Sequence, residues 1–283
     1  MPTINELRAE LDDVTTLKLI SSAFTEASAA RVQKIKKDFE NNQQFFVEIS
    51  RLYHLVQMSA KKQKDGENGK NGHGNKPDAG TLSVAVTSNQ RFYGNININI
   101  MTEYTAKTKK EETDLLVIGS TGRDFMKSVR DERHWDQLSF VKENPTAEEV
   151  ASFLDKTAKY GKIIVYFPKF ISLVRQDVGV TDITQTTETG SKIEDDEINM
   201  IFEPDLSMIL DFFKRQVRAL LFLRVMLESD LARTAARLIT MSGAEERSND
   251  MMKIKKRELR KLQTSITNAK LLETFAAMSG WKK

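Results

Sequence analysis

The sequence predicts an α/β chain built around a long helical coiled coil. Its N- and C-terminal helices pair antiparallel, and a small Rossmann-like α/β domain lies between them. Three observations predict it. Apolar residues recur at helical spacing over both ends of the 283 residues. A hydrophilic, glycine-rich stretch follows the first helical pattern. In the middle, three short apolar runs of strand character alternate with helical pattern.

The five prolines, Pro2, Pro77, Pro145, Pro168 and Pro204, mark where long helices are allowed, because proline breaks a helix interior. In the first open interval Ile4, Leu7, Leu11 and Val14 step by three and four, followed by Leu17, Ile20, Phe24 and Ala27. After a phase shift the stripe resumes at Val32, Ile35, Phe39, Phe46, Ile49, Tyr53 and Val56. This predicts one helix from about Thr3 to Met58, ~84 Å long at the rise of an α-helix. The hydrophilic segment 60–80, with Asp65-Gly66-Glu67-Asn68-Gly69, has almost no apolar residue and is expected to be a disordered linker.

Thr81–Thr87, Asp114–Gly119 and Lys162–Phe167 read as buried strands, and Thr146–Tyr160 as a helix starting near Asn144-Pro145. Strands alternating with helices predict a largely parallel sheet. Asn95–Ile100 alternates like a strand while Met101–Lys110 looks helical, so that segment reads either way. From Pro204 a second stripe runs through Leu206, Leu210, Phe213, Val217 and Leu220, and on through Met241, Met252, Leu259, Leu262 and Phe275. A helix from Asp205 to about Ser279 would be ~112 Å long. Two such stripes have too much apolar surface for a small core, which predicts the coiled coil. The expected organisation is an N-terminal helix over 1–59, a linker over 60–80, the α/β domain over 81–200 and a C-terminal helix over 201–283.

Composition excludes several function classes. Lysine and arginine exceed acidic residues by three in the formal charge, too small a bias for a nucleic-acid partner. With no cysteine, disulfides and thiolate metal sites are excluded. No apolar run approaches the ~20 residues of a membrane-spanning helix, and the N-terminus enters an amphipathic pattern without a targeting segment.

Three signals bear on chemistry. Gly119-Ser120-Thr121-Gly122-Arg123 follows a strand, where phosphate loops sit, but a phosphate loop needs lysine directly after its last glycine. Here that position holds Arg123, and a plain strand-to-helix turn is the expected reading. The three histidines, His54, His73 and His134, lack ligand-like spacing, so no metal site is expected. The run Lys253–Lys261 is the densest basic stretch, either a solvated helix face or a track for an acidic protein partner. No nucleophile–base constellation stands out, and no cofactor is expected.

Several segments resemble the γ subunit family of F-type ATP synthases, in order along nearly the whole chain. Val14-Thr15-Thr16-Leu17-Lys18-Leu19-Ile20-Ser21-Ser22-Ala23-Phe24 is similar to V-x-N-T-x-x-I-T-x-A-M, with Ser21 and Phe24 in place of threonine and methionine. Ala29-Ala30-Arg31 resembles the small-small-lysine that follows it. Ser88, Gly94 and Asn97 keep part of S-D-x-G-L-C-G-G-x-N, and the family's next element favours helix for Asn97–Lys110. Asp114–Ser128 fits D-L-x-x-I-G-x-K-G-x-x-F-x-x-S with Thr121 at the lysine. Phe202-Glu203-Pro204 resembles Y-E-P. Glu228–Met241 resembles E-x-x-A-S-E-x-x-A-R-M-x-A-M, keeping Ala236, Arg237 and Met241. Gln263, Ile266 and Thr267 fit R-Q-x-x-I-T, with Leu262 at the arginine position.

The resemblance implies a non-catalytic rotor at the centre of a ring of α and β subunits, with ε and the membrane c-ring as further partners. It implies a peripheral membrane location on the cytoplasmic face, with no membrane span and no nucleic acid partner. The partner contacts it implies are Ile20, Ala23, Phe24, Arg31, Arg237, Met241, Lys255, Lys256, Gln263, Ile266 and Thr267. Two rivals stand beside it: an unrelated coiled-coil scaffold, and an enzyme with its cleft at the strand ends of the α/β domain. With both long helices starting level, the second outruns the first by ~28 Å, leaving an apolar tip from Gln263 to Trp281 without a helical partner.

Overall fold

The computed structural model describes residues 3–66, 80–130, 132–184 and 206–280. The element order is α1 (Ile4–Gly66), β1 (Thr81–Val86), α2 (Ile96–Thr108), β2 (Asp114–Ile118), α3 (Ser120–Val129), β3 (Trp135–Leu138), α4 (Ala147–Thr157), β4 (Lys162–Phe170), β5 (Gln176–Asp182) and α5 (Leu206–Gly280). The chain divides into two compact units, one of Arg31–Ala236 and one of Met1–Ala30 with Arg237–Lys283. The boundaries read from sequence separate helices from sheet. The structure instead groups part of each long helix with the sheet, because those parts carry the side chains that complete its core.

In the Arg31–Ala236 unit the sheet order is β3-β2-β1-β4-β5. The first four strands are parallel, with Leu82 opposite Asp114 and Ile163, and β5 pairs antiparallel to β4. Residues alternate between two buried faces, which is why the strands read as continuous apolar runs. Leu82, Val84, Val86, Ile163, Val165 and Phe167 share a core with Val150 and Phe153 of α4 and with Phe222, Val225 and Met226 of α5. Ala85, Leu115, Val117 and Tyr166 face the other way, against Ile100, Met101 and Tyr104 of α2 and Met126 of α3. Phe153 and Phe222 stack with centroids 4.0 Å apart, tying α4 to α5. Arg31 onward, α1 contributes Val32 and Ile35, which pack with Leu231 and Phe170. Further along, Phe46 and Tyr53 pack with Val217 and Leu220, so α1 and α5 run antiparallel here.

The segment left open between strand and helix is α2. Its buried residues Ile96, Ile100, Met101 and Tyr104 follow a helical step, and alternation over six residues was too short to decide it. Helix α4 begins at Ala147, with Thr146, one residue past Pro145, as its N-cap in a full capping box. The Glu149 amide donates to Thr146 Oγ1 at 3.3 Å, and the Thr146 amide to Glu149 Oε2 at 2.8 Å. Thr3 and Glu6 make the same reciprocal pair at the start of α1. Helix α1 runs to Gly66, past the expected end at Met58, because Ala60, Lys61, Lys62, Gln63 and Lys64 are strong helix formers. The first part of the expected linker is therefore helical, and residues 67–79 lie outside the described residues.

In the other unit, α1 and α5 form an antiparallel coiled coil with a regular seven-residue period. Ile4, Leu7, Leu11, Val14, Lys18, Ser21, Thr25 and Ser28 are the inward positions of α1; Met241, Glu245, Ser248, Met252, Lys255, Leu259 and Leu262 are those of α5. Ser21 and Ser28 are more than nine-tenths buried, whereas Leu17, Ile20 and Ala27 of the expected stripe are exposed. Small polar residues take the seam there, so an apolar-only pattern reads the wrong face. Thr15 Oγ1 lies 3.7 Å from Met252 Sδ and Lys255 Nζ lies 2.8 Å from Glu10, fixing the antiparallel register.

Candidate functional site: a plugged sheet crevice and exposed helix faces

In doubly wound sheets ligands bind beyond the carboxyl ends of the strands, where the strand order reverses. Here that point is next to β1, between β2 and β4, and the chain fills it with its own side chains. Arg233 of α5 is 0% exposed. Its Nη1 donates to the Thr87 carbonyl at 3.3 Å, directly after β1, and its Nη2 lies 3.0 Å from Glu143 Oε2. The second contact is an ion pair whose angle falls outside hydrogen-bond geometry, and Nε is buried without a partner among the described residues. Glu143 also accepts from the Asn89 amide at 3.3 Å, while Asn89 Nδ2 donates to the Phe140 carbonyl at 3.2 Å.

The turn at Gly119–Arg123 is closed in the same way. The first amides of α3 would face an anion in a phosphate loop. Instead the Ser120 amide donates to Asn89 Oδ1 at 2.9 Å, the Thr121 amide to the Ser88 carbonyl at 3.1 Å and the Gly122 amide to Thr87 Oγ1 at 2.9 Å. A Cβ on Gly119, at φ +99°, would lie 2.6 Å from the Thr87 carbonyl oxygen, and one on Gly122 would lie 2.6 Å from Val117 Cγ1. The glycines let the turn approach Thr87, so the strand-to-helix reading is the one the geometry has. A cavity of about 500 Å³ beside α4 is lined by Leu82, Leu116, Leu138, Phe153, Lys156 and Tyr160, among others. Its Tyr160 hydroxyl donates to Asp114 at 2.6 Å, and burial, with that carboxylate, pushes the phenol pKa up to about 12. Such a phenol is a poor acid at neutral pH. No group of three or more potential metal ligands occurs among the described residues.

One helical turn before Arg233, Asp230 is fully buried and takes Arg31 Nη2 at 3.0 and 3.2 Å on its two oxygens. Burial opposes the Arg31 charge, and the field and hydrogen bonds of Asp230 outweigh it, so the Arg31 pKa is raised. Thr234 Oγ1 also donates to Asp230, at 3.4 Å. This network was missed in the sequence because its acids, Glu143 and Asp230, stand far from their arginine partners or within a helical pattern. The signal was the charge of Asp230 and Arg233 between the apolar stretch Val225-Met226-Leu227 and the small residues Ala235-Ala236.

The expected contact residues separate into two sets. Arg237 and Met241 are buried, with the Arg237 guanidinium 5.7 Å from the half-buried Phe24 ring. Arg31 is held by Asp230, and Lys255 by Glu10 and Glu258, whose hydrogen bonds raise its pKa. These five take part in the chain's own packing, with Arg31 and Lys255 already engaged by acidic side chains. Ile20, Ala23, Lys256, Gln263, Ile266 and Thr267 are exposed. Thr267 turns its hydroxyl back to the Gln263 carbonyl at 2.9 Å. Leu262, at the arginine position of the resemblance, is a half-buried seam residue. Beyond it α5 has no α1 partner, since the seam pairs Glu10 with Lys255 and α1 begins at Ile4; the overhang to Gly280 spans about 27 Å. Leu271, Leu272, Phe275 and Met278 are at least half exposed there, with Phe275 at 66% and Met278 at 71%.

A sequence model of the family described as ATP synthase matches residues 3–278. The chain belongs to the ATP synthase family. A γ chain of ATP synthase from Christiangramia forsetii is 26% identical over 280 residues, covering 95% of both chains. One from Clostridium novyi is 23% identical over 270 residues and 92% of both chains. In fold, the chain is similar to one from the central stalk and c-ring structure of the Tetrahymena thermophila mitochondrial ATP synthase. That match has a TM-score of 0.59 at 16% identity, over 80% of this chain and 99% of that one. A chain of the Euglena gracilis mitochondrial ATP synthase matches with a TM-score of 0.55 at 13% identity, over 89% and 95%. The role within the family is that of the rotor γ subunit, a non-catalytic part of an ATP-synthesising complex. Among the described residues no helix is long and apolar enough to cross a membrane.

Proposed function

We propose that the helix pair of this chain turns inside a ring of α and β subunits, and that its sheet-bearing part meets ε and the membrane c-ring on the cytoplasmic face. One observation carries the reading: α5 continues past its partner helix as a single helix bearing Ile266, Leu271, Leu272, Phe275 and Met278 at its surface. A lone solvated helix gains nothing from such residues. A ring of apolar side chains around it covers them without fixing their orientation, because hydrophobic contact is non-directional. The exposed Leu17, Leu19 and Ile20 on α1, with Ala23, offer a second surface of the same kind. Lys256 and Arg257 add charge for acidic segments of the ring.

The mechanism follows from symmetry. Two unlike helices present a different face in every direction, whereas the three catalytic sites around them are equivalent by sequence. Each orientation of the rotor therefore biases the three sites differently among nucleotide-affinity states, and turning it passes those states around the ring. Nucleotide chemistry belongs to the ring and ion transfer to the membrane sector. Reconstitution with cognate α and β subunits tests the proposal. Co-assembly and rotation of a probe on this chain during ATP hydrolysis are expected. A chain that stays monomeric beside functional α and β, or hydrolyses ATP alone, overturns it.

A further inference from the structure

We infer that Arg233 and Asp230 of α5 are positioning residues that hold the sheet and the stretches of α1 and α5 within Arg31–Ala236 as one body; the inference rests on the rotor reading above. The two residues lie one helical turn apart, so they project from the same side of α5. Asp230 holds Arg31 of α1, and Arg233 holds Glu143 and the Thr87 carbonyl of the sheet. From Glu143 the connections continue through the Asn89 amide to Phe140, and through Asn89 Oδ1 to Ser120 at the start of α3. The segments that leave the carboxyl ends of β1 and β2 are thus tied to one turn of α5.

Among the described residues α5 also meets the sheet through the apolar Phe222, Val225, Met226, Leu231 and Ala236, and at the end of β4 through Glu228, which accepts a hydrogen bond from the Phe170 amide. Apolar contacts hold two layers together but resist sliding weakly, since a small slip exchanges one apolar neighbour for another. A buried ion pair behaves differently. Sliding it apart leaves two uncompensated charges in the interior, so its energy rises steeply with displacement. Arg233 is moreover imperfectly satisfied, with Nε unpartnered among the described residues and Nη2 poorly aligned. Stability alone favours an apolar pair of the same volume at such a place. What the ion pair adds is a fixed position. In a rotor, that position determines whether torque applied at the helices reaches the sheet without angular slack.

The experiment uses the assembled complex, with its catalytic ring fixed to a surface and a rod attached through Ser172→Cys in the β4–β5 loop. Angular variance of the rod is read in the ATP-waiting dwell. The apolar double variant Arg233→Met/Glu143→Leu removes the ion pair without leaving either charge alone. It is expected to assemble with a Tm at or above that of the unchanged protein, and to show at least a twofold larger angular variance. Unchanged variance overturns the inference. So does an increase accompanied by a falling Tm, which would assign the pair to fold stability. Failure of the unchanged chain to assemble would instead refute the rotor reading, so the two failures are distinguishable.

Discussion

Two stretches of the same helix show opposite relations to solvent. Between Val217 and Ala236, α5 buries apolar residues around much of its circumference, with Ser229, Asp230, Arg233 and Thr234 sealed inside beside Val225 and Met226. Between Gln263 and Met278 every residue is exposed, including Leu272 and Phe275. Composition does not explain the contrast, since the first stretch contains charges and the second contains large apolar residues. The first is completed by its own chain, from α1, α4 and the sheet. The second has no cover among the described residues, and its apolar residues are what the proposed ring would bury.

The comparison breaks most readily at Arg233. The single change Arg233→Met leaves Glu143 buried beside an apolar side chain and should cost ~3–5 kcal/mol in chemical denaturation of the isolated chain. The change Leu272→Ser in the exposed stretch should move the same measurement by no more than ~0.5 kcal/mol. Equal effects at the two positions would remove the distinction. Next in size, Gly122→Ala forces a methyl group against Val117 and Thr87, and should cost ~1–3 kcal/mol through overpacking. A stabilising result there would mean that the turn has room for a ligand and that the crevice is not plugged.

The smallest effect concerns Glu228, two residues before the network's Asp230. Burial raises its carboxyl pKa, opposed by Arg224, Lys169 and a hydrogen bond from Phe170. The folded chain therefore binds this proton more tightly than the unfolded one, and stability falls as pH rises from the unfolded value through the folded value. Glu228→Gln should stabilise the chain at neutral pH by under ~1 kcal/mol, the scale of mild substitutions. The gain should vanish below the unfolded carboxyl pKa. Thermal unfolding across that range checks the sign.

Much of this organisation was legible in the sequence. The long helices, the strands β1, β2 and β4 and the capped α4 carry strong periodicity or turn signals. Two strands were not legible. Trp135–Leu138 is short and half polar, and it becomes a strand only because the β2 edge is there to pair with it. Gln176–Asp182 is likewise set by its antiparallel pairing to β4. The seam at Ser21 and Ser28 was hidden because small polar side chains are buried there, while Leu17 and Ile20 drew the apolar pattern outward. The buried ion pairs were hidden for a related reason. Arg31, Glu143 and Asp230 become partners only through tertiary packing, and charges in a helix read as a solvated face.

Hydrogen exchange over residues 263–278, in the free chain and in the complex with α and β subunits, tests the central contrast most directly. In the free chain this overhang lacks packing and should exchange near the rate of a fraying helix, while amides of β1, β2 and β4 stay protected. In the complex the account predicts strong protection of 263–278, with the strands little changed. Rapid exchange of that stretch in a fully assembled, hydrolysing complex would contradict it, because the exposed apolar surface would then have no partner to explain it.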